Sequence, residues 1–334
     1  MGLAFDPQKR QSMVNNAKAR EFLENNQITI YFSAIGLALL IGSVLPGSSE
    51  LGVVINPVLA LMLFVTFLQV PLAELGCAFA HIRFISALIF TNFVAVPLLV
   101  LFLTPFFPVD PMICFGVLLV LLAPCIGYVV TFTHLGQGDA RLLLAATPIL
   151  LIVQMLLLPI YLGLFLGENA ISLIQLGPFI HAFVWLIAIP LVFAAILQHW
   201  AARSMAGKTV STTLGLLAVP STGSVLFVVI ASVVPQIEAA IDASLQVVPI
   251  YIVYASTAPL VGWGVSRLFR LDAPSGRAIS FSAGTRNSLV VLPIAFAVHG
   301  AMSVLPAVIV TQTLVELVFE LLYIRLMPAL GRSD

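Results

Sequence analysis

Ten separate apolar runs dominate the chain, at residues 27–46, 52–73, 85–106, 112–135, 140–166, 174–199, 213–234, 244–268, 278–299 and 301–324. An α-helix needs roughly 20 apolar residues to cross a hydrocarbon layer, and these runs reach that length. Runs of this kind enter lipid as helices, because a helix satisfies its backbone N–H and C=O groups within one segment. An outer-membrane barrel would instead show short alternating segments. Composition agrees. Hydrophobic residues make up 61% of the 334 and charged residues 8%, against about 25% charged in soluble domains. Mean hydropathy is +1.14. These values exclude a soluble multidomain enzyme, a nucleic-acid-binding protein and a disordered chain. A net charge of zero removes any argument from bulk electrostatics. Three cysteines, Cys77, Cys114 and Cys125, are too few for a disulfide framework and read first as small buried apolar side chains.

Turn-forming residues separate most of the runs: Pro46-Gly47, Pro105 to Pro111, Gly136 to Asp139, and Gly167-Glu168. Residues 1–26 are polar and carry Lys9, Arg10, Lys18 and Arg20. They are expected to be a cytoplasmic lead-in with the character of a surface helix rather than a cleaved signal. Orientation follows from the positive-inside rule. With the N-terminus inside, the inner segments hold Lys9, Arg10, Lys18, Arg20, Arg83, Arg141, Arg203, Lys208, Arg267, Arg270, Arg277, Arg325 and Arg332, which is 13 of the 14 basic residues. The outer loops hold none, and carry Glu50, Asp110, Glu168, Glu238 and Asp242. Both termini are therefore expected in the cytoplasm of a cell whose plasma or inner membrane the chain crosses.

Ten spans divide into five and five. An odd-numbered unit duplicated in tandem inserts upside down the second time, which gives the inverted repeat common in secondary transporters. The expected organisation is a cytoplasmic segment at 1–26, a first five-helix repeat at 27–166, a second at 174–324 and a cytoplasmic tail at 325–334. Span 4 then matches span 9. Span 4 is interrupted by Ala123-Pro124-Cys125-Ile126-Gly127, and span 9 by Gly284-Thr285-Arg286-Asn287-Ser288 with Pro293 beyond. Interrupted spans at corresponding positions point to a transporter's binding site.

The fourteenth basic residue, Arg286, lies inside span 9. A charge at bilayer depth costs at least about 2.5–3.5 kcal/mol on insertion scales, so it needs a reason to be there. Glu316 and Glu320 on span 10 are spaced i, i+4 and share one helix face. They lie near the depth of Arg286, and an Arg286–Glu316 or Arg286–Glu320 ion pair is expected. That pair is either a structural tie between helices or part of an anion-binding or proton-coupling centre. Thr285, Asn287 and Ser288 surround the arginine and favour the second reading. Gln69, Gln154 and Gln312 are either helix–helix hydrogen bonds or ligands. His81, His134 and His199 sit at inner span ends, and His181 and His299 toward the outside. Asp139 reads as the N-cap of span 5. There is no HExxH, GxSxG or Walker A motif, and no cofactor is expected.

Pro124-Cys125, Thr133-His134-Leu135-Gly136-Gln137-Gly138-Asp139 and Ser282-Ala283-Gly284-Thr285-Arg286-Asn287-Ser288 resemble the bile acid/arsenite/riboflavin transporter superfamily across all ten spans. The resemblance implies two inverted five-helix repeats. Spans 1, 2, 6 and 7 would form a panel domain and the rest a core. Spans 4 and 9 would be unwound where they cross, with substrate between panel and core. Cys125, thirteen residues before Gly138, resembles a cysteine of the arsenic-resistance members, where a soft thiolate suits As(III). Those members carry an intramembrane Glu that falls here on Val290, so Glu316 or Glu320 would take its place. In the sodium symporters, a Ser-Asn pair falls on Val129-Val130, a Glu on Ser282 and a Gln on Arg286, so the usual sodium sites are not intact.

The expected function is therefore secondary active export of arsenite or a related metalloid or oxyanion, driven by proton motive force. The candidate substrate residues are Cys125, Thr285, Arg286, Asn287, Ser288 and Gln69, and the coupling candidates are Glu316, Glu320 and Ser282. Arg286 would act as a built-in cation in place of a coupling sodium. The alternatives are a small organic-anion carrier and a membrane sensor that binds without transport. Expected partners are the substrate and the lipid bilayer, with a homodimer as one admissible assembly.

Overall fold

The computed structural model describes residues 18–45, 47–69, 81–166, 183–234, 237–296 and 304–331. The described residues are helical throughout, with no strand beyond one isolated bridge. Seven helices among them are long and apolar enough to cross a membrane. Exposed apolar side chains such as Phe102, Leu156, Leu164 and Val192 cover the outer helix faces, as expected of a chain whose solvent there is lipid.

The chain divides into two compact units, one of residues 1–69 and 184–235, the other of 70–183 and 236–334. In the first unit, α1 (Gln27–Val44) is followed by a 3₁₀ segment (Ser48–Val54) and α2 (Ile55–Gln69). Helices α8 (Ile189–Arg203), α9 (Met205–Gly215) and α10 (Ala218–Val233) complete it. Tyr31, Ile35, Ala38 and Gly42 form the buried stripe of α1, spaced as one helix face. This stripe packs on α10. A Cβ on Gly42 would lie 2.6 Å from that of Val234, so only glycine allows this approach.

The second unit begins with α3 (Ile82–Phe90), a π-helical turn (Thr91–Ala95) and α4 (Val96–Leu103). Then come α5 (Pro111–Leu121), α6 (Val129–Leu135) and α7 (Ala140–Leu166). After the first unit's helices the chain returns through α11 (Ile237–Leu268), α12 (Ala273–Gly284), α13 (Ser288–Phe296) and α14 (Val304–Leu326). Helix α11 packs on both α12 and α14.

Several boundaries differ from the sequence reading. Helix α9 starts at Met205 rather than 213, because the Ser204 side chain caps the N–H of Gly207 at 3.1 Å. Its Lys208, Thr209 and Ser211 hide a helix that hydropathy alone misses. Helices α11 and α12 also start earlier than expected, at Ile237 and Ala273. Spans 4 and 9 are each two helices, separated at 122–128 and 285–287. Parts of expected spans 2, 6, 9 and 10, together with Cys77, His181, His299 and most of the N-terminal segment, lie outside the described residues.

Prolines inside helices leave a carbonyl four residues earlier without its helical N–H. Three of these carbonyls have found hydroxyl partners. Thr147 donates to Leu144 O, ahead of Pro148, at 2.7 Å. Tyr161 donates to Phe93 O, ahead of Pro97, at 2.5 Å. Tyr323 donates to Ala255 O, ahead of Pro259. In lipid no water could replace these donors. Asp139 caps α7 at the N–H of Leu142, 3.0 Å away. Arg277 ties the carbonyl of Gln137 to that of Leu330, at 3.0–3.1 Å.

Candidate functional site

The two broken helices meet at their breaks. Pro124 and Arg286 form an antiparallel bridge, in which Cys125 N–H donates to Thr285 O at 3.2 Å and Asn287 N–H donates to Ala123 O at 2.8 Å. Each of these bonds removes an N–H from its own helix and so frees the carbonyl four residues back. Diverting Cys125 N–H leaves Leu121 O at the end of α5. Diverting Asn287 N–H leaves Ala283 O at the end of α12. The N–H of Arg286 is diverted too, to Glu316 Oε2 at 2.6 Å, which leaves Ser282 O.

The Arg286 guanidinium, fully buried, collects these carbonyls. Its Nη2 donates to Ser282 O, to Ala283 O at 2.8 Å and to Asn92 Oδ1 at 2.9 Å. Its Nη1 reaches Leu121 O at 3.5 Å. The group lies 5.8 Å from the centroid of the Tyr254 ring, within cation–π range, and Tyr254 donates to Ala283 O at 2.8 Å. The negative ends of two helix dipoles therefore converge on one fixed cation.

This corrects the expected ion pair. Among the described residues the sole salt bridge is Arg20–Glu24, and neither Glu316 nor Glu320 holds the guanidinium. Glu316 instead accepts three hydrogen bonds: from Tyr128 at 2.5 Å, from Gln312 Nε2 at 2.6 Å and from the backbone of Arg286. Glu320 meets Thr285 Oγ1 at 2.5 Å, and its Oε2 has no hydrogen-bond partner among the described residues. The carboxyls act on the break through backbone and hydroxyl groups because the guanidinium is already held by carbonyls.

Eight of the residues singled out from sequence gather here: Cys125, Ser282, Thr285, Arg286, Asn287, Ser288, Glu316 and Glu320. All are buried. Ser282 Oγ accepts from Asn92 Nδ2 at 2.9 Å, and Ser288 Oγ pairs with Thr313 Oγ1 at 2.7 Å. Cys125 is a free, buried thiol beside the N–H groups of Gly127 and Val129. Gln69 is in the other unit; its Nε2 donates to Gly215 O at 3.4 Å, which makes it a tie between α2 and α9. Gln312 bonds to Glu316 on its own helix.

Asn92, Tyr128 and Tyr254 escaped the sequence reading. Asn92 had a signal: it is a polar amide in an apolar run, five residues before Pro97. It sits in the π-helical turn, a feature frequent at functional sites. Tyr128 is the last residue of the first break. Tyr254 carries no comparable mark in its run.

A model of the sodium bile acid symporter family matches residues 56–240. The match includes the first break and stops before the second. No curated protein matches the chain. The matched residues are more than half of the chain, and with the apolar helices they make this a multi-pass membrane protein that belongs to the sodium bile acid symporter family of transporters.

Proposed function

We propose that the protein is a secondary transporter that exports arsenite or a related metalloid species, coupled to protons and independent of sodium, with both termini in the cytoplasm. The observation that carries this reading is the placement of Cys125. The buried thiol of Cys125 stands in the break of span 4, and the backbone N–H of the same residue bonds to the break of span 9, where Glu316 is held by the N–H of Arg286. As(OH)3 can exchange one hydroxyl for this sulfur. An As–S bond forms, an As–O bond breaks, and the thiol proton leaves with the hydroxyl as water. A single thiolate ligand suits transport because one bond is readily reversed, whereas three would trap the metalloid.

Glu320 is the proton carrier in this reading, and donor counting supports it. The Thr285 hydroxyl has one hydrogen and two neighbours, Phe281 O at 2.7 Å and Glu320 Oε1 at 2.5 Å. If that hydrogen goes to Phe281 O, the second contact requires a proton on Glu320. Glu316 accepts three donors and suits a standing carboxylate. The two compact units and the paired breaks in spans 4 and 9 support the panel-and-core, inverted-repeat organisation that the resemblance implies.

The family's name includes sodium, but the residues here do not suit a sodium ion at the breaks. The available carbonyls face the Arg286 guanidinium, and a second cation beside it would be repelled. No step is therefore assigned to sodium.

The test is arsenite accumulation in cells lacking their own arsenite efflux, with wild type, Cys125→Ser and Glu320→Gln compared. Wild type is expected to lower cellular arsenic, Cys125→Ser to abolish the effect, and Glu320→Gln to remove its dependence on the proton gradient. An active Cys125→Ser variant sinks the thiol reading. A wild type without effect moves the substrate class to small organic anions.

A further inference from the structure

We propose that the C-terminal tail is a clasp that fastens the inner halves of the two broken helices to each other, with Arg277 as its pin. The clasp lies apart from the crossing and does not depend on what the protein transports.

Arg277 stands in α12, two turns before the break that follows Gly284. By charge count it is one more inner-side cation, and such residues ordinarily face water. This one is only 8% exposed. Its Nε and Nη2 both donate to Leu330 O, at 3.1 and 3.0 Å, and its Nη1 donates to Gln137 O at 3.0 Å. Gln137 lies just beyond α6, and Leu330 just beyond a 3₁₀ turn at Met327–Ala329. Carbonyls at such ends have no N–H of their own helix to accept. The planar fork of an arginine can hold two of them at fixed angles, which the point charge of a lysine cannot. One side chain of span 9 thus grips both the inner end of span 4 and the end of the chain.

The backbone on each side is shaped for this contact. Gln137 has a φ of 59°, a left-handed conformation that is uncommon outside glycine and persists only where its surroundings impose it. A Cβ on the neighbouring Gly138 would lie 3.1 Å from Ala278 N, and Asp139 N–H donates to Pro274 O at 2.9 Å. The loop after α6 is therefore pressed on α12. The tail is turned inward as well. Met327 is buried, and Leu330 N–H donates to Met327 O at 2.9 Å. Gly331 has a φ of 72°, and a Cβ there would lie 2.7 Å from that of Ala273 and 3.0 Å from the Trp263 ring on α11.

Helices α6 (Val129–Leu135) and α12 (Ala273–Gly284) are short, and helices of such length do not hold themselves together in isolation. The crossing joins them at the breaks, and Arg277 joins them at the inner side. Among the described residues α6 and its loop have no hydrogen bond to the tail except by way of Arg277. Displacing the tail should therefore loosen α6 at a distance. The tail sets how readily the inner halves of spans 4 and 9 open, so whatever draws it away acts on both.

The experiment measures hydrogen–deuterium exchange by mass spectrometry on the full-length protein in detergent. The variants are wild type, Arg277→Lys, Arg277→Met, Gly331→Val and Arg277→Met/Gly331→Val. Gly331→Val alters only the tail end, so it tests the clasp without removing a buried charge. Exchange of protected amides reports local opening, and Gly331→Val is expected to raise it about tenfold in peptides covering 129–138 as well as 273–284. Arg277→Met should do the same or more, and Arg277→Lys should fall between it and wild type. In the Arg277→Met background, Gly331→Val should add little at 129–138, because the link is already cut. Peptides from α8 in the other unit should exchange as in wild type. A change confined to the tail would overturn the clasp. So would an equal effect of Gly331→Val at 129–138 with and without Arg277→Met. No substrate enters the measurement, so a failed arsenite assay leaves the result standing.

Discussion

Glu316 holds Arg286 by its backbone N–H, at 2.6 Å, and the guanidinium of the same residue takes the carbonyl of Ser282 that this N–H would have bonded in an unbroken helix. One residue thus serves both sides of the break. Its main chain is lent to a carboxylate on α14, and its side chain repairs the helix end that the loan exposes.

The first expectation concerns that carboxylate. Glu316 accepts three donors, two of them buried and the third, from Tyr128, half-buried. Glu316→Leu strands all of them, at about 1–3 kcal/mol for each buried unsatisfied group. Glu316→Gln keeps one oxygen and should lose about 1 kcal/mol. Thermal unfolding in detergent ranks the two. Equal unfolding temperatures for Glu316→Leu and wild type would mean the network contributes nothing.

Asn92 positions the arginine. Its Oδ1 takes Nη2 of Arg286 at 2.9 Å and its Nδ2 goes to Ser282 Oγ at 2.9 Å. Asn92→Leu should leave one guanidinium hydrogen and one hydroxyl less well satisfied and lower transport at least tenfold. Asn92→Asp, which keeps the acceptor, should restore most of it. Transport rates of the two variants in vesicles decide this. Similar loss in both would show that the residue matters only for packing.

Gly136 and Gly163 make an internal comparison. A Cβ at Gly136 would lie 2.2 Å from the Phe281 ring, whereas at Gly163 nothing lies within 4 Å. Gly136→Ala must displace the ring and should destabilise by about 1–3 kcal/mol. Gly163→Ala, inside α7, should be neutral or stabilise by about 0.5–1 kcal/mol. Fluorescence-detected thermal stability of both variants tests the pair, and the reverse order would refute the packing at Phe281.

Tyr323 covers Ala255 O because Pro259 has no N–H to offer it. Tyr323→Phe should therefore cost about 1–3 kcal/mol for a stranded carbonyl. In a Pro259→Ala background, where an N–H returns, the same change should cost markedly less. A double-mutant cycle on unfolding free energy measures this coupling. A coupling near zero would remove the proline from the explanation.

Much of the fold was legible along the chain. Helix α7 spans Ala140–Leu166, the range its apolar run marks, because Gly138-Asp139 caps one end and Gly167-Glu168 follows the other. The break after Leu121 announced itself through Pro124 and Gly127, and the one after Gly284 through a polar run in an apolar stretch. The starts of α9 and α11 were less visible, since their first turns carry polar residues that lower hydropathy without opposing a helix. Among site residues, Arg286, Glu316 and Glu320 were conspicuous because charge is expensive in lipid. Tyr254 was not, since a tyrosine in an apolar run marks nothing until its partner is known, and the amide of Asn92 before Pro97 was a fainter mark than a charge.

Composition and run length by themselves determined that this chain crosses a membrane as helices, and its polar interruptions determined where two of those helices break. Both follow from local terms: the cost of an unsatisfied backbone group and of a charge in hydrocarbon. The partner of Arg286 was decided by tertiary structure alone. Sequence proximity in depth favoured a carboxylate on α14. The crossing of the breaks instead freed three carbonyls next to the guanidinium, and left the carboxylate nearest a backbone N–H. Which acceptor a buried cation meets depends on where unrelated segments expose their helix ends, and that is set only when the segments pack.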